Sequence, residues 1–329
     1  MRAVIVESPG GPEALSLVEL PDPVPEAEEL LIQVACSSVN RADILQRRGM
    51  YPPPPGASQV LGLEVAGTVV GLGAGVDDWQ EGDQVCAVVA GGGYATMAAI
   101  PAAVAMPLPP GVELNDAAAV PEVFTTAYDA LVMQAGLSDG ETVLLHGGSS
   151  GVGTAGIQLA KRAEADVVVT VGTDEKADAC RELGADLVIN YRQTDDFAQE
   201  IRDRRNSGVD VLLDIIGGPY LAQNLSVLDA GGRMVTIGLM GGPKAELNMG
   251  LLMAKRLTLM GSTLRARPVE QKAVLANRMV AEVWPGFVDG SLVPIIHSRY
   301  RLDEVSQAHA EMEASTHVGK ILLTCTGSG

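Results

Sequence analysis

The sequence predicts an α/β protein in which a β-rich domain accompanies a doubly wound parallel sheet. In the first third, short runs rich in Val, Ile and Leu are separated by Pro and Gly clusters, a pattern typical of short strands in a barrel-like domain. In the middle third, continuous apolar runs alternate with amphipathic stretches of helical length, which indicates a parallel sheet with helices on both faces. Because 329 residues exceed what one hydrophobic core usually organises, we expect two domains.

The first third supplies the strands expected in the β-rich domain, which are RAVIV (2–6), LSLVEL (15–20), ELLIQVACSSV (29–39) and LEVAGTVVGLG (63–73). A short helix is expected over RADILQRRG (41–49). The stretch YPPPPGAS (51–58) is expected to be a loop, because proline fixes φ and lacks the N–H that a helix or a central strand needs.

The doubly wound sheet is expected to begin with the strand ETVLLH (141–146). Further strands are predicted at 166–172, 186–191, 209–217 and 232–239, with helices at 151–163, 174–184 and 195–205. Near the C-terminus the pattern predicts helices at 269–284 and 302–315 and a strand at 319–325. The last helix and strand are too short to form a separate domain, so we expect them to complete the first domain.

The net charge narrows the classes of function. Asp and Glu number 41 against 23 Lys and Arg, which gives a formal charge of −18, and so acidic a surface repels phosphate backbones at long range. We therefore expect no nucleic-acid partner and no docking on anionic membranes, although a local basic pocket would still admit a small phosphate ligand. No run of about 18 apolar residues occurs, so no membrane span is predicted.

The cysteines and the N-terminus favour a reducing compartment. Cys36, Cys86, Cys180 and Cys325 share no CxxC or related spacing, which favours reduced, mostly buried thiols. The N-terminal residues show neither a long apolar core nor a cleavage-site pattern. We therefore expect a cytoplasmic protein.

The strongest chemical signal is the glycine-rich segment HGGSSGVGTAGIQLAK (146–161), which lies between a predicted strand and a predicted helix. Glycine permits a tight turn and the close approach of a pyrophosphate, and a helix N-terminus offers free N–H groups to an anion. A structural turn without a ligand is the alternative. We predict a dinucleotide site whose residues here are Gly148, Ser150, Gly151, Val152 and Gly153.

The end of the second strand of this sheet indicates which nicotinamide cofactor binds. NAD-binding proteins usually place Asp or Glu there for the ribose 2′-OH, whereas this chain has Gly172 and Thr173. A small residue, a hydroxyl, Lys176 and Tyr191 can together hold a 2′-phosphate. The carboxylates of DEK (174–176) oppose this unless they point away, and a solvated helix-surface lysine is the alternative. We predict NADPH rather than NADH.

Ordered motifs along nearly the full chain carry a resemblance to a known family. They are SSVNRADILQRRGMYPPPPGASQVLGLEVAGTV (37–69), PEVFTTAYDAL (121–131), HGGSSGVG (146–153), GTDEKADACRELGAD (172–186), INY (189–191), DIIGG (214–218) and GLMGG (238–242). On these motifs the chain resembles the zinc-free NADPH:quinone oxidoreductases of the medium-chain dehydrogenase/reductase superfamily, most closely the tumour-suppressor-inducible type.

This resemblance implies a GroES-like catalytic domain that is split in sequence by an inserted Rossmann domain. We place the GroES-like domain at 1–120 and 263–329 and the Rossmann NADPH-binding domain at 121–262. The resemblance also implies a homodimer or a homotetramer.

The resemblance further implies that no zinc is bound. Zinc-dependent relatives carry Cys-x-x-Asp, Gly-His-Glu and a later Cys, and the matching positions here hold Asn40, Leu63 and Glu122. Leucine cannot ligate a metal and the usual soft donors are absent, so we interpret Glu64 and Glu122 as hydrogen-bonded, partly buried carboxylates. Without a Lewis acid, acceptors that take hydride readily are favoured, namely quinones and activated alkenes.

By the same resemblance, Asn40 and Tyr51 lie beside the nicotinamide and the substrate as catalytic residues. Either side chain can donate to a quinone oxygen as charge develops. A turn-forming Asn and a loop aromatic packed on prolines are the alternatives. Thr126 is expected to contact the nicotinamide amide or ribose, or else to cap a helix.

The remaining cofactor-binding residues come from strand ends and from the family. Ligands in open α/β sheets bind at the carboxyl ends of strands, which adds Gly217, Gly238, Leu239 and Met240. The resemblance adds Leu264, Arg265 and Lys320, with surface ion pairs as the alternative for Arg265 and Arg267. We interpret the histidines as structural, since none matches a catalytic position of the family: His146, His297, His309 and His317.

Three functions stay open at this point. The favoured one is NADPH-dependent reduction of quinones by direct hydride transfer. The second is the same chemistry on enones, enals or enoyl thioesters. The third is a non-catalytic crystallin-like or RNA-binding protein, although the charge of −18 opposes RNA binding.

Overall fold

The computed structural model describes residues 1–325. Its strands are β1 (Arg2–Val6), β2 (Leu15–Glu19), β3 (Glu29–Val39), β4 (Glu64–Leu72), β5 (Gln84–Val88), β6 (Met97–Pro101), β7 (Ala105–Pro107), β8 (Thr142–His146), β9 (Asp166–Val171), β10 (Leu187–Asn190), β11 (Val209–Asp214), β12 (Leu228–Thr236), β13 (Thr258–Gly261), β14 (Ile296–Arg301) and β15 (Lys320–Thr324). Its helices are α1 (Arg41–Arg47), α2 (Pro121–Tyr128), α3 (Gly151–Arg162), α4 (Asp174–Glu182), α5 (Phe197–Arg205), α6 (Leu221–Val227), α7 (Met249–Lys255), α8 (Val269–Arg278), α9 (Trp284–Val288) and α10 (Val305–Ala314).

The chain forms two compact units. The first comprises Met1–Thr125 and the chain from Leu264 onward, and the second comprises Thr126–Thr263. The elements after Leu264 therefore belong to the first unit.

The first unit is built on a mainly antiparallel sheet of order β14-β15-β3-β4-β5-β7, with β6 also paired to β3. Along β3 the burial of side chains alternates up to Gln33 and is then continuous from Val34 to Val39. The second half of β3 is thus covered on both faces. Polar side chains placed there are cut off from water and must find partners inside the protein.

The second unit is the doubly wound parallel sheet that the sequence predicts. Its strand order is β10-β9-β8-β11-β12-β13, and every pairing is parallel. Neighbouring residues of β8 enter two different cores, with Val143 and Leu145 in one and Leu144 in the other. Because successive side chains of a strand point to opposite faces, both faces of this sheet are covered, which explains its continuously apolar strands.

The helical stretch predicted at 269–284 is confirmed, but it is not one regular α-helix. The structure has α8, a π-helical segment at Met279–Val283, and then α9. Pro285 stands in the first turn of α9, and proline cannot donate a backbone N–H to the preceding turn. The pattern of backbone hydrogen bonds therefore changes from α-helical to π-helical just before this proline.

The predicted loop at 51–58 is confirmed, since it contains neither helix nor strand. Within the part of the chain that the structure describes, no helix is both long enough and apolar enough to cross a bilayer.

Candidate active site

A buried carboxylate, an ammonium and an amide meet in the first unit because of strand register. Continuing the β3–β4 register past its last pair puts Ser38 opposite Glu64. Continuing the β3–β15 register puts Lys320 opposite Asn40. These four side chains come from three neighbouring strands and the residue that follows β3, so the sheet itself assembles the cluster.

The Glu64 carboxylate accepts four hydrogen bonds. Asn40 Nδ2 and Lys320 Nζ donate to its Oε1 at 2.7 and 2.9 Å, and Ser38 Oγ also donates to this oxygen. The backbone N–H of Glu122 donates to Oε2 at 2.8 Å. Glu64 and Lys320 are 0% and 3% exposed, so this ion pair is screened from water, and removal of one partner would leave a bare buried charge.

Lys320 also determines how the Asn40 amide is oriented. Its Nζ donates to Asn40 Oδ1 at 2.7 Å. Because an ammonium has only donors, the oxygen of the amide must face Lys320 and its NH2 must face Glu64. Asn40, predicted as a catalytic residue, is thereby held in one orientation. Lys320, predicted as a cofactor-binding residue, lies in this cluster.

The residues of this cluster do not fit a zinc ion. Asn40 and Glu122, which stand at zinc-ligand positions of the zinc-dependent relatives, both approach Glu64. The positive charge beside Glu64 is already supplied by the Lys320 ammonium. Within residues 1–325, no group of three His, Cys, Asp or Glu side chains has a geometry that could hold a metal.

A second buried network, which sequence reasoning missed, supports the start of α1. Asp43 Oδ2 accepts from the Asn40 backbone N–H at 2.8 Å and from Tyr94 Oη at 3.0 Å. His309 Nε2 lies 3.2 Å from Tyr94 Oη, and its Nδ1 lies 3.3 Å from Arg47 Nη1. Since Arg47 only donates, Nδ1 accepts and Nε2 carries the proton. Burial lowers the pKa of His309 to about 3, so this histidine is neutral and structural.

Tyr51, the other predicted catalytic residue, is half-buried and packs on a guanidinium. Arg265 lies 5.2 Å from the centre of the Tyr51 ring. Its three nitrogens donate to Ala90 O, Tyr51 O and Gln46 Oε1 at 2.7, 3.1 and 2.6 Å. Arg265 is 4% exposed, so it forms no surface ion pair and instead fixes the loop that carries Tyr51. Leu264, beside it, is also buried.

In the second unit the glycine-rich turn forms as predicted between β8 and α3. Gly147 has φ of +69°, and Ser150 caps the helix by accepting from the Gly153 N–H at 3.0 Å. A Cβ on Gly153 would lie 2.3 Å from Gly147 O, and one on Gly148 would lie 2.6 Å from the Val169 Cβ. The turn therefore leaves bare backbone at a helix N-terminus, which fits a diphosphate. Gly151 and Val152 begin that helix.

His146, the last residue of β8, contacts two neighbouring elements through its ring nitrogens. Its Nδ1 lies 2.9 Å from Thr170 Oγ1 and its Nε2 lies 2.8 Å from Asn224 Oδ1. Because the amide oxygen only accepts, Nε2 carries the proton. Burial lowers the pKa of His146, so the ring stays neutral and joins β8, β9 and α6 as a structural residue.

The end of β9 shows a hydroxyl and a cation beside Gly172. A Cβ built on Gly172 would lie 2.6 Å from Tyr191 Oη and 3.5 Å from Arg192 Nε. Thr173 caps α4, and its Oγ1 accepts from the Lys176 backbone N–H at 3.3 Å. Arg192 was missed by sequence reasoning, although it directly follows Tyr191 in the same motif. Gly172, Tyr191 and Arg192 thus lie close together, and a hydroxyl and a guanidinium are groups that can bind a phosphate.

The carboxylate of Asp174 is held by neighbours. Asn190 Nδ2 donates to it at 2.8 Å, and Gln193 Nε2 donates to both of its oxygens at 3.1 and 3.2 Å. These amides stabilise the Asp174 carboxylate, whose negative charge would otherwise oppose a 2′-phosphate.

The other predicted cofactor-binding residues follow the ends of the next strands. Gly217, after β11, has φ of +82° and donates to Asp214. Gly238 follows β12 and packs on Ile215. Leu239 and Met240 are 54% and 53% exposed. All of them lie at the carboxyl edge of the parallel sheet, where the glycine-rich turn also lies. Thr126 lies in α2 and is partly exposed.

Comparison with protein families matches both parts of the chain. Residues 26–110 match the alcohol dehydrogenase GroES-like domain, and residues 151–279 match the zinc-binding dehydrogenase domain. The β-rich unit and the parallel sheet therefore correspond to the predicted GroES-like and Rossmann-type domains.

Individual relatives agree over nearly the whole chain. The quinone oxidoreductase of Lama guanicoe is 33% identical, over 98% of this chain and 97% of the relative. The structure of Escherichia coli quinone oxidoreductase complexed with NADPH superposes with a TM-score of 0.88 at 29% identity, over 98% of this chain and 100% of that one. The apo JamJ enoyl reductase gives 0.88 at 28% identity, covering 98% of both chains. The chain therefore belongs to the quinone oxidoreductase family of the medium-chain dehydrogenases/reductases.

Proposed function

We propose that this NADPH-dependent oxidoreductase reduces quinones by direct hydride transfer without a metal. The observation that carries the proposal is the Asn40–Glu64–Lys320 cluster, in which an ammonium supplies the positive charge beside the carboxylate. Such a site supplies a fixed positive charge and no Lewis acid, which suits acceptors that delocalise the incoming charge. The curated quinone oxidoreductase relatives support the same acceptor class.

The glycine-rich turn and the Gly172 region are the proposed holders of NADPH. The bare backbone at Gly148 and Gly153 receives the diphosphate, and Tyr191, Arg192 and Lys176 receive the 2′-phosphate. When bound, NADPH supplies a hydride from its nicotinamide ring. The carboxyl edge of the sheet, at Gly217, Gly238, Leu239 and Met240, orients the dinucleotide.

In the first unit, we assign Asn40 and Tyr51 to orientation of the acceptor. Lys320 and Glu64 keep the Asn40 amide in one orientation, and Arg265 keeps the Tyr51 loop in place. A preorganised polar group does not have to reorient as negative charge develops, which is why it lowers the barrier. We also retain a homodimer or homotetramer and a cytoplasmic location as proposals, on the strength of the family resemblance.

Reduction of activated alkenes is the second candidate. The JamJ enoyl reductase neighbour supports it, since hydride addition to an enoyl thioester needs the same cofactor orientation. A steady-state comparison of a small ortho-quinone, an alkenal and an enoyl-CoA, each with NADPH, separates the two candidates. We expect kcat/KM to be highest for the ortho-quinone; a higher value for the enoyl-CoA would reverse the assignment.

Replacing Arg192 by alanine is expected to weaken NADPH binding 10- to 100-fold and to leave NADH binding unchanged. A charged hydrogen bond to the 2′-phosphate contributes about 1.5–3 kcal/mol, and NADH lacks that group. Calorimetric titration of both cofactors measures the effect. The control is Arg181→Ala, because this exposed arginine of α4 pairs only with the exposed Asp178 among the described ion pairs. Equal losses for NADPH and NADH would contradict the assignment.

A further inference from the structure

We infer that the side-chain carboxyl of Glu122 donates the proton that completes reduction of the acceptor. This inference rests on the proposed function, because a quinone that has taken a hydride is a hydroquinone monoanion and needs one proton. The first unit holds several titratable groups near Asn40. Their hydrogen bonds and burial distinguish the one that is free to give up a proton.

Glu122 is held in place through its backbone and not through its side chain. Its N–H donates to Glu64 Oε2 at 2.8 Å at the start of α2, which ties it to the Asn40–Glu64–Lys320 cluster. Within residues 1–325, no hydrogen bond reaches either oxygen of the Glu122 carboxyl, and the side chain is partly exposed. It is therefore a carboxyl next to the cluster with both oxygens available to an acceptor.

The neighbouring carboxyls are less able to reach an acceptor. Glu64 accepts four hydrogen bonds and is paired with the Lys320 ammonium, so its oxygens are already occupied within the protein. Asp43 is 0% exposed, and its Oδ2 is used by Tyr94 and by the Asn40 backbone. Neither group can reach a bound acceptor without breaking the network that supports Asn40.

The neighbouring Lys272 and Tyr51 are no better suited to donate the proton. Lys272 Nζ donates to Arg265 O at 2.8 Å. Burial raises the pKa of Tyr51 above its ordinary value, which makes its phenol a hydrogen-bond donor that holds on to its proton at neutral pH. Among the carboxyls of the described residues that act on this cluster, Glu122 is the one whose side-chain oxygens accept no hydrogen bond and are partly exposed.

The charges around Glu122 explain why its carboxyl keeps a proton at neutral pH. Removal from water is the largest cause, and the Glu64 carboxylate adds to it; together they raise the pKa of Glu122 to about 8. Nearby cations oppose this shift only in part. The charged groups that act on Glu122 come from several elements, namely Glu64 of β4, Asp43 of α1, Lys320 of β15, Lys272 of α8 and Arg265 before α8. A general acid with a pKa near the working pH is efficient.

The step balances with the proposed reaction. The hydride carries two electrons and one proton equivalent to the quinone, whose other oxygen becomes an anion. The O–H bond of the Glu122 carboxyl breaks as a new O–H bond forms on that oxygen, and the product is the hydroquinone. The Glu122 carboxylate then recovers a proton from water, so one NADPH and one proton are consumed for each quinone.

The test compares Glu122→Gln with the wild-type enzyme, using NADPH and a small ortho-quinone across pH 6–10. Glutamine keeps the shape and the backbone N–H that binds Glu64, but it cannot donate a proton to an oxyanion. We expect kcat to fall about 100-fold, within the usual range for loss of a general acid, while the Kd for NADPH stays the same. We also expect wild-type kcat to decline above about pH 8 and this decline to vanish in the variant.

Two further variants separate catalysis from structure. Glu122→Asp retains the acid and is expected to restore part of kcat together with the decline at high pH. Glu113→Gln removes an exposed carboxyl elsewhere in the first unit and is expected to change nothing. Because the folded protein binds the Glu122 proton more tightly than the unfolded chain does, its stability contribution is present below about pH 4.5 and lost as pH rises through about 8. Glu122→Gln should therefore melt higher than wild type at pH 9.

The possible outcomes distinguish this inference from the proposed function. If the wild-type enzyme reduces the quinone and Glu122→Gln keeps both kcat and the decline above pH 8, the inference is overturned and the function stands. If the wild-type enzyme binds NADPH but reduces no quinone, the proposed function fails first. A solvent isotope effect on wild-type kcat that disappears in Glu122→Asp would also count against a proton donated by this carboxyl.

Discussion

The Gly153→Ala variant is expected to bind NADPH at least 100-fold more weakly than the wild-type protein, a loss of about 3 kcal/mol. A Cβ at this position would lie 2.3 Å from Gly147 O and 2.6 Å from both C and O of Gly148. These neighbours are backbone atoms of the turn itself, so they cannot rotate away as a side chain would. The turn must open, and the N–H groups at the start of α3 then no longer converge on the diphosphate. Calorimetric titration of NADPH measures the loss.

The matched control is Gly156→Ala, which lies in the same helix. There a Cβ would meet the Leu145 Cδ1 at 3.1 Å, and the end of a leucine side chain can shift. Alanine is also the better helix former by up to about 1 kcal/mol. We expect affinity for NADPH within threefold of wild type. A Gly153→Ala protein that is folded by circular dichroism and binds NADPH normally would disprove the assignment of this turn.

The Lys320→Met variant is expected to lose about 3–5 kcal/mol of unfolding free energy, which is the usual result of breaking a buried ion pair from one side. Methionine fills much of the same volume, so the loss comes from the Glu64 carboxylate, which would stay in the interior without its counter-charge. Ser38, Asn40 and the Glu122 N–H still donate to it, which places the expected loss nearer the lower figure. Urea unfolding at neutral pH measures it.

The double variant Lys320→Met/Glu64→Gln provides the control. With the carboxylate neutralised, no bare charge remains, and we expect most of the lost stability to return. The coupling between the two positions follows from a double-mutant cycle. A loss below about 1 kcal/mol in the single variant, or no recovery in the double variant, would show that the pair is not the buried unit described above.

Much of the fold could be predicted from local patterns. The alternation of apolar runs with amphipathic stretches indicated a doubly wound sheet, because a strand buried on both faces must be apolar throughout, and β8 and β9 have this character. The glycine-rich turn was recognisable for the same local reason: its chemistry lies in consecutive residues. The helical stretch at 269–284 was also predictable, whereas its π-helical segment was not, since this segment depends on the backbone hydrogen bonds before Pro285.

Only part of the candidate site could be predicted from local patterns and family motifs. The family motifs led to the prediction of Asn40 and Tyr51 as catalytic residues. The contact between Tyr94 and His309 could not be predicted, because these residues are 215 positions apart and share no motif. Arg265 was assigned to the cofactor on the family resemblance, with a surface ion pair as the alternative; its three hydrogen bonds to acceptors in the first unit could not be read from the sequence.

Residue order and composition were thus sufficient to predict the two kinds of domain, the glycine-rich turn and the family, because the signals for each lie in contiguous segments. Strand register alone brought Lys320, at the far end of the chain, against Asn40 and Glu64. That contact depends on which strands pair and on burial, and both are properties of the folded chain as a whole. The set of charged groups around Glu64, and with it the pKa of Glu122, therefore depends on the pairing of these strands in the folded protein.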